Sequence, residues 1–359
     1  MSNIQYLTPG PTGLYPTVKN HILNALDQDV CSISHRSKKF EAIFQETTEN
    51  LRNLLGLPDD YHIFFTGSAT EIWDRIIENC AEATSFHLVN GSFSKRFYET
   101  ARELKRNAFR FETDFGTSPD VSEINIPIGS EVICFTHNET SSGVSMPIED
   151  INKLRARYEH MIAAVDAVSS MPYPKFDYSK VDTVMFSVQK GFGLPAGLGV
   201  WLVNERCIAK AKDMQSKHLS IGSYHNLLSL AQKGKSLQTP ETPNVLGIYL
   251  LGKVAGDMLK IGIDKIRKDT ESKASILYDF FDKHGQFSSF VKNKNHRSQT
   301  VVVVNSHMTA AELNKFLAED EIQIGSGYGK FKESQIRIAN FPGTSIETIE
   351  KLVEKLKKY

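Results

Sequence analysis

The stretch DTVMFSVQKGFGLPAGLGVWLV, residues 182–203, decides the fold. Its two apolar runs, VMFSV and LGVWLV, predict buried strands, and a loop with four glycines separates them. The glycines, at 191, 193, 197 and 199, would let the backbone approach a planar ligand closely. One lysine, Lys190, lies two residues after the end of the first run. It either lies in solvent at a turn, the ordinary interpretation of a single lysine, or is held in a site for its amine chemistry.

Apolar strands alternate with helical patterns on both sides of this stretch. Strands are predicted at 62–66, 86–90, 131–139 and 161–170, with helical segments between them. Strands this apolar imply a mostly parallel sheet covered by helices on both faces. From about residue 244 the pattern is long and helical, and it then alternates as β-α-β-α. We therefore predict an α/β fold with three parts, listed here in chain order: an N-terminal arm at 1–15, a large domain at 16–255 and a smaller α+β C-terminal domain at 256–359.

Composition argues against several classes of partner. Lys plus Arg equals Asp plus Glu, 42 each, so no net charge favours nucleic acid. The four cysteines form no close pair, which argues against a disulfide framework or a zinc site and suits a reducing compartment. The N-terminus has no signal-peptide pattern, and no apolar run reaches about 18 residues. We expect a cytoplasmic globular protein with no nucleic-acid, membrane or metal partner.

Polar residues follow three of the predicted strands, at the sheet edge where ligands of open α/β sheets bind. The sequence FFTGSATEIW predicts a strand, a turn and a helix, and the free backbone N–H groups at the start of such a helix can bind an anion. Gly67 would permit the tight turn, and Ser68 and Thr70 would add hydroxyl groups. A plain helix cap is the alternative. Asp166 could hold a cationic ring nitrogen or simply cap the next turn. The anion site, the carboxylate of Asp166 and the amine of Lys190 are together the three groups that pyridoxal phosphate requires.

These motifs and others resemble the class V aminotransferases of the pyridoxal-phosphate fold type I superfamily, over nearly the whole chain. The stretches that carry the resemblance are LTPGPT (7–12), SHRSKKF (34–40), TGSATE (66–71), HNETSSG (137–143), VDAVSS (165–170), SVQKGFGLPAGLG (187–199), TPETP (239–243) and RIANFP (337–342). SHRSKKF, NETSSG and the QK–GLPAGL arrangement are similar to phosphoserine aminotransferases. LTPGPT and VDAVSS are more like alanine– or serine–glyoxylate aminotransferases, so the branch stays open.

The resemblance implies roles at the cofactor site. Lys190 would carry pyridoxal phosphate covalently and then move the proton between the substrate and the cofactor, and Asp166 would pair with the pyridine nitrogen. The other implied cofactor-binding residues are Gly67, Ser68 and Ala69 at the phosphate, Gln189 beside it, Thr140 near the ring's 3-oxygen, Phe93 stacked on the ring, and Gln238 and Thr239. Phe93 could instead be a core residue. Gln238 and Thr239 would reach the cofactor phosphate of the neighbouring subunit, which implies a homodimer with shared active sites.

Substrate residues follow from the same resemblance. Arg337 alternates with two isoleucines in SQIRIAN, so it faces away from the small domain's core, and it would clamp the substrate α-carboxylate. His35 and Arg36 would bind a substrate phosphate. The phosphoserine enzymes commonly carry a His–Arg pair before the carboxylate arginine, whereas this chain has Lys330 and Lys332 there.

The expected activity is therefore that of a phosphoserine aminotransferase, in which L-glutamate and 3-phosphohydroxypyruvate give phosphoserine and 2-oxoglutarate. Because this chain has Lys330 and Lys332 where the phosphoserine enzymes commonly carry the His–Arg pair, an alanine/serine–glyoxylate or pyruvate aminotransferase is the alternative. A non-catalytic scaffold that kept the fold is the remote alternative.

Overall fold

The protein is described here by a computed structural model that covers residues 4–358. Residues 1–3 of the predicted arm and Tyr359 of the predicted small domain lie outside the described residues. The strands are β1 (Gln5–Leu7), β2 (Tyr61–Thr66), β3 (Thr84–Val89), β4 (Asn107–Glu112), β5 (Val132–Thr136), β6 (Asn138–Glu139), β7 (Val144–Ser145), β8 (Ile162–Asp166), β9 (Thr183–Ser187), β10 (Gly199–Asn204), β11 (Phe287–Ser289), β12 (Val301–Ser306), β13 (Ile322–Ser326) and β14 (Gln335–Ala339). The α-helices are α1 (Val18–Asp27), α2 (Lys38–Leu55), α3 (Ala69–Cys80), α4 (Ser92–Glu103), α5 (Ile148–Arg157), α6 (Glu205–Ser216), α7 (Leu227–Gly234), α8 (Val245–Ile261), α9 (Ile263–Phe281), α10 (Ala310–Leu317) and α11 (Ile346–Leu356).

The large sheet has seven strands in the order β2-β10-β9-β8-β5-β3-β4. β9, β8, β5, β3 and β4 pair in parallel, whereas β10 is antiparallel to both of its neighbours, β2 and β9. Successive side chains enter opposite faces: Val165 packs in a core with α2, α5 and α8, and Ala164 packs in a second core with α3, α4, α6 and α7. The predicted mostly parallel sheet with helices on both faces is confirmed.

A second sheet of five strands, in the order β1-β13-β14-β12-β11, forms the smaller α+β unit. Its core is built with α9, α10 and α11 and includes Ile336 and Ile338. β1 pairs in parallel with β13, so residues 5–7 of the predicted arm form a strand of this small sheet. The predicted boundary at residue 255 falls inside α8, which continues to Ile261. We propose Gly262 as the boundary, because the helix stops there at a φ of +91°.

Three strand ends bring the site together. β8 ends at Asp166, β9 ends three residues before Lys190, and β2 leads into the turn before α3. Gly199, the first residue of β10, pairs with the last residues of both β2 and β9 and so holds these two ends side by side. Among residues 4–358, no helix combines the length and apolar character that a bilayer crossing needs.

Candidate active site

A cavity of about 230 Å³ lies at this edge of the large sheet. Its lining residues are Gly10, Ala69, Thr70, Trp73, Phe93, Thr136, Asn138, Thr140, Asp166, Val168, Ser187, Gln189 and Lys190. Six of the predicted site residues are therefore brought together here: Ala69, Phe93, Thr140, Asp166, Gln189 and Lys190. They come from five separate stretches of the chain, which only the sheet topology unites.

Lys190 is buried, with an exposed fraction of 9%, so the interpretation as an exposed turn lysine is wrong. Its Nζ donates to the carbonyl of Pro9 at 2.9 Å and lies 5.8 Å from the centre of the Phe93 ring. Its pKa is lowered to about 8, chiefly by burial; the charge of Asp166 acts in the opposite direction, and the Arg337 guanidinium contributes to the lowering. A lysine with this pKa has a substantial neutral, nucleophilic fraction near neutral pH.

Asp166 is the buried carboxylate of the cavity. Its Oδ1 accepts from the N–H of Val168 at 2.9 Å, and its Oδ2 accepts from Nε1 of Trp73 at 3.0 Å. Burial raises its pKa to about 6, although both donors act in the opposite direction. The carboxylate therefore caps its own turn and also faces the cavity. The contact of Trp73 with Asp166 was not predicted. The sequence pattern that could have indicated it is an aromatic residue one turn into the helix that follows the predicted anion-binding turn.

The free amides of the turn before α3 are not the pair that the resemblance implies, Ser68 and Ala69. The N–H of Gly67 donates to Oε2 of Glu71 at 3.0 Å, and the N–H of Ala69 donates to Oγ of Ser187 at 3.0 Å. Oγ of Ser68 caps α3 by accepting from the N–H of Glu71. Among residues 4–358, the N–H groups of Ser68 and Thr70 keep no protein partner, so these two are the donors available to an anion.

Two glycines of the 191–199 loop, Gly191 and Gly199, allow close contact between backbone segments. A Cβ at Gly199 would lie 2.4 Å from the carbonyl carbon of Ser68, and a Cβ at Gly191 would lie 1.9 Å from the carbonyl oxygen of Met171. Both contacts are between backbone atoms of separate segments, and no side chain larger than hydrogen would fit at either position without a shift. Gly199 therefore lets β10 approach the anion turn closely enough to shape it.

Gln189 completes the polar lining. Its Oε1 is buried and has no hydrogen-bond partner among the described residues. A half-turn of the amide exchanges the oxygen and the nitrogen, so this side chain can offer an acceptor or a donor to a bound group. A buried amine, a buried carboxylate, two free helix amides and an unpaired amide side chain fit pyridoxal phosphate, which needs a tether, a ring-nitrogen partner and a phosphate site.

Phe93 and Thr140 are positioned by one buried carboxylate, Glu139. Its oxygens accept from the N–H and Oγ of Ser94, both at 2.9 Å, and from the N–H and Oγ of Ser141. These bonds hold the first turn of α4, which carries Phe93, against the segment that carries Thr140. The role of Glu139 was not predicted, although it lies inside the quoted HNETSSG motif.

Arg337 reaches the site from the small sheet. The isoleucines on either side of it are buried in the small core, so its side chain leaves from the opposite face, as the alternation predicts. Its Nη1 donates to the carbonyl of Thr140 at 3.2 Å, and its Nε donates to the carbonyl of Ser326 at 2.7 Å. Its guanidinium also lies 5.3 Å from the centre of the Tyr328 ring. Burial lowers its pKa to about 10, which still leaves a cation at neutral pH.

Seven predicted site residues do not line the cavity: Gly67, Ser68 and Arg337, described above, and His35, Arg36, Gln238 and Thr239. Three of them meet in a separate cluster in which Arg36 binds the 238–240 segment. Its Nη1 donates to Oε1 of Gln238 at 2.9 Å and to the carbonyl of Thr239 at 2.7 Å, and its Nη2 donates to the carbonyl of Pro240 at 3.0 Å. Arg36 therefore fastens this segment within its own chain, a contact that was not predicted.

Comparison with known proteins identifies the family. Residues 9–330 match the family model for Aminotransferase class-V. The phosphoserine aminotransferase of Rhodococcus opacus is 26% identical over 358 residues, covering 97% of this chain and 92% of that protein. The probable phosphoserine aminotransferase of Dictyostelium discoideum is 27% identical over 321 residues, covering 86% of this chain and 82% of that protein.

Solved structures agree with this match. A phosphoserine aminotransferase from Cytophaga hutchinsonii is 54% identical, with a TM-score of 0.99, and the match covers 100% of this chain and 99% of that one. An alanine–glyoxylate aminotransferase from Nostoc is 20% identical, with a TM-score of 0.86 and coverage of 99% and 94%, which shows the shared fold. The family match extends over most of the sequence, and the chain therefore belongs to the class-V aminotransferases.

Proposed function

We propose that this aminotransferase is a pyridoxal-phosphate-dependent phosphoserine aminotransferase of serine biosynthesis. It would transfer the amino group of L-glutamate to 3-phosphohydroxypyruvate, giving phosphoserine and 2-oxoglutarate. The observation that carries the proposal is the 54% identity, over the whole chain, to the phosphoserine aminotransferase of C. hutchinsonii. The cavity supports it, because an amine and a carboxylate face the same enclosed space.

Different residues around the cavity would bind different parts of the cofactor. When bound, pyridoxal phosphate supplies an electron sink for the bonds at the substrate Cα. Lys190 would hold it covalently, and Phe93 would cover one face of the ring. The free amides of Ser68 and Thr70 would bind its phosphate at the positive end of α3, with Gln189 beside them.

Asp166 would set the charge of the cofactor ring, and Lys190 would move the substrate proton. Asp166, with a pKa of about 6, is anionic at neutral pH and would keep the ring nitrogen protonated by pairing with it. The amine of Lys190, once free, would take a proton from the substrate Cα and return it on the cofactor side. A pKa of about 8 suits both steps, because a general acid/base is most effective when its pKa lies near the working pH.

Arg337 would hold the substrate carboxylate. Its guanidinium has lost most of its hydration by burial, and its recorded partners are carbonyl oxygens rather than carboxylates. A substrate carboxylate would provide the opposite charge and a bidentate partner. Because Arg337 also contacts Thr140 on the large domain, it would orient the substrate Cα toward Lys190.

The homodimer with shared sites remains part of the proposal. Gln238 and Thr239 do not line the cavity of their own chain, which is the arrangement expected if they serve a neighbouring subunit. His35 and Arg36 would bind the substrate phosphate from the same cluster. All four cysteines are free, which supports a reducing, cytoplasmic location.

One observation favours the alternative of an alanine/serine–glyoxylate or pyruvate aminotransferase. Both Nη atoms of Arg36 already donate to oxygens of the 238–240 segment, so a substrate phosphate would have to compete with them. The lysine that stands where the phosphoserine enzymes carry the His–Arg pair, Lys330, lies over the ring of Phe331 instead, at 5.1 Å.

A panel assay tests the proposal. The purified protein, loaded with pyridoxal phosphate, is given L-glutamate with 3-phosphohydroxypyruvate, glyoxylate or pyruvate, and 2-oxoglutarate is measured. We expect kcat/KM to be highest for 3-phosphohydroxypyruvate. Preference for glyoxylate or pyruvate would establish the alternative branch. A colourless protein that turns over none of the three would establish the scaffold.

A further inference from the structure

His225, in the loop between α6 and α7, lies between two carboxylates. Its Nδ1 is 2.6 Å from Oε1 of Glu71, and its Nε2 is 2.9 Å from Oε2 of Glu241. The side chain of His225 is 2% exposed, so these two contacts are shielded from water. Neither the cofactor nor the substrate roles above involve this trio of one buried histidine and two partly exposed glutamates.

Glu71 connects the trio to the anion turn. It is the third residue of α3, and its Oε2 accepts the N–H of Gly67 while its own N–H donates to Ser68. A negative charge therefore lies beside the amides of Ser68 and Thr70, the donors that would bind the cofactor phosphate. Two anions at close range repel each other, so an uncompensated Glu71 would weaken phosphate binding.

Glu241 connects the trio to the segment that carries Gln238 and Thr239. Oγ of Thr239 donates to the carbonyl of Glu241 at 2.7 Å, and Arg36 binds the same segment from the other side. The Glu71–His225–Glu241 contact is thus a direct link between the phosphate turn and the segment proposed to reach a neighbouring phosphate.

The charges around His225 favour its cation. Glu71, which also lies 3.8 Å from Nε of Arg75, faces it from α3, Glu241 faces it from the 238–241 segment, and the Tyr224 ring stacks on it at 3.9 Å. By geometry the contact with Glu71 is a hydrogen bond, whereas the contact with Glu241 is an ion pair that lacks hydrogen-bond alignment. Burial lowers the pKa of His225, but its interactions with Glu241 and Glu71 outweigh burial and raise the pKa to about 9. At neutral pH the imidazolium is therefore charged.

We propose that His225 is a positioning residue for the cofactor phosphate: it neutralises Glu71 beside the turn and, through Glu241, fixes the 238–241 segment to α3. The inference rests on the proposed function, since it assigns the phosphate of pyridoxal phosphate to this turn. It predicts that the affinity of the protein for the phosphate group of the cofactor depends on the charge of His225, a residue that contacts neither the cofactor nor the substrate.

The test measures binding rather than turnover. Apoprotein is titrated with pyridoxamine 5′-phosphate, which has the phosphate but no aldehyde for Lys190, and its Kd is obtained from tryptophan fluorescence. We expect His225→Gln to raise Kd about tenfold, as for loss of a charged hydrogen bond. The matched control, His62→Gln, removes a half-exposed histidine of β2 whose Nε2 lies 2.7 Å from Oε1 of Glu205, and it should leave Kd unchanged.

A rescue variant separates neutralisation from a merely structural role. In Glu71→Gln/His225→Gln the anion is removed together with its partner, and the new amide oxygen at position 71 can still accept from the N–H of Gly67. We expect Kd to return to within about twofold of the wild-type value. In the wild type, the affinity should also fall as pH rises through about 9, and this step should be absent in His225→Gln.

The outcomes are distinguishable. If His225→Gln binds like the wild type, or if the double variant shows no rescue, the inference is wrong while the proposed function stands. If the wild type binds neither pyridoxal phosphate nor pyridoxamine 5′-phosphate, the proposed function itself is wrong. Should His225→Gln fail to fold, the double variant and the pH series on the wild type still decide.

Discussion

The capture of pyridoxal phosphate by the apoprotein should depend on pH with a midpoint near the pKa of Lys190. Only the neutral amine attacks an aldehyde. Burial lowers the pKa of Lys190 from an ordinary 10.5 to about 8, so the neutral fraction grows as pH rises, reaches one half near pH 8 and levels off at higher pH. At pH 7.5 about a quarter of Lys190 is neutral, against roughly 0.1% for an ordinary lysine, which is a ratio of about 240.

This ratio can be measured directly. Apoprotein is mixed with excess pyridoxal phosphate in a stopped-flow instrument from about pH 6.5 to about pH 9.5, and the growth of visible absorbance gives the second-order rate constant. Free Nα-acetyl-lysine under the same conditions supplies the unperturbed reference. We expect the protein rate to reach a plateau above about pH 8.5 while the reference keeps rising. A protein rate that also rises through the whole range would refute the buried, pKa-lowered amine.

Four substitutions test the other parts of the site. Asp166→Asn should lower kcat by two to three orders of magnitude, roughly the cost of losing one electrostatic stabiliser, and an unchanged kcat would remove Asp166 from the chemistry. Arg337→Lys should raise KM for glutamate about tenfold or more with a smaller change in kcat, because a lysine cannot form the bidentate pair; equal losses in both constants would contradict a binding role. Gly199→Ala should lower the free energy of unfolding by about 1–3 kcal/mol and weaken cofactor binding, since its Cβ would overlap Ser68, and a wild-type melting temperature would argue against that contact. Arg36→Ala should raise KM for 3-phosphohydroxypyruvate more than KM for glyoxylate; a uniform rise would show that Arg36 only fastens the 238–240 segment.

Much of the large domain was predictable because its central strands are buried on both faces and read as continuous apolar runs. The edge strand β4, with the sequence NAFRFE, was missed, since most of its residues are exposed or half-buried and the apolar signal is weak. The antiparallel direction of β10 was also not predicted. The signal was present, because the eleven residues between β9 and β10 are too few for a crossover with a helix.

The centre of the site was predictable for a related reason. Lys190 and Asp166 each follow a buried strand, and the topology of parallel strands brings such residues to one edge. The contacts of Trp73 with Asp166 and of Arg36 with Thr239 join positions 93 and 203 residues apart. No local pattern encodes contacts at such separations, so they become visible only when the chain is folded.

The central claim is that Lys190 carries the cofactor. The direct measurement is borohydride reduction of the holoprotein, followed by proteolysis and mass spectrometry of the lysine peptides. Lys273 is the internal control, because it is also buried with a pKa lowered to about 8, but its Nζ donates to the carbonyls of Phe341 and Thr344 and it does not line the cavity. We expect the reduced cofactor on Lys190 and none on Lys273; a label on Lys273 or on another lysine, with Lys190 unmodified, would contradict the account.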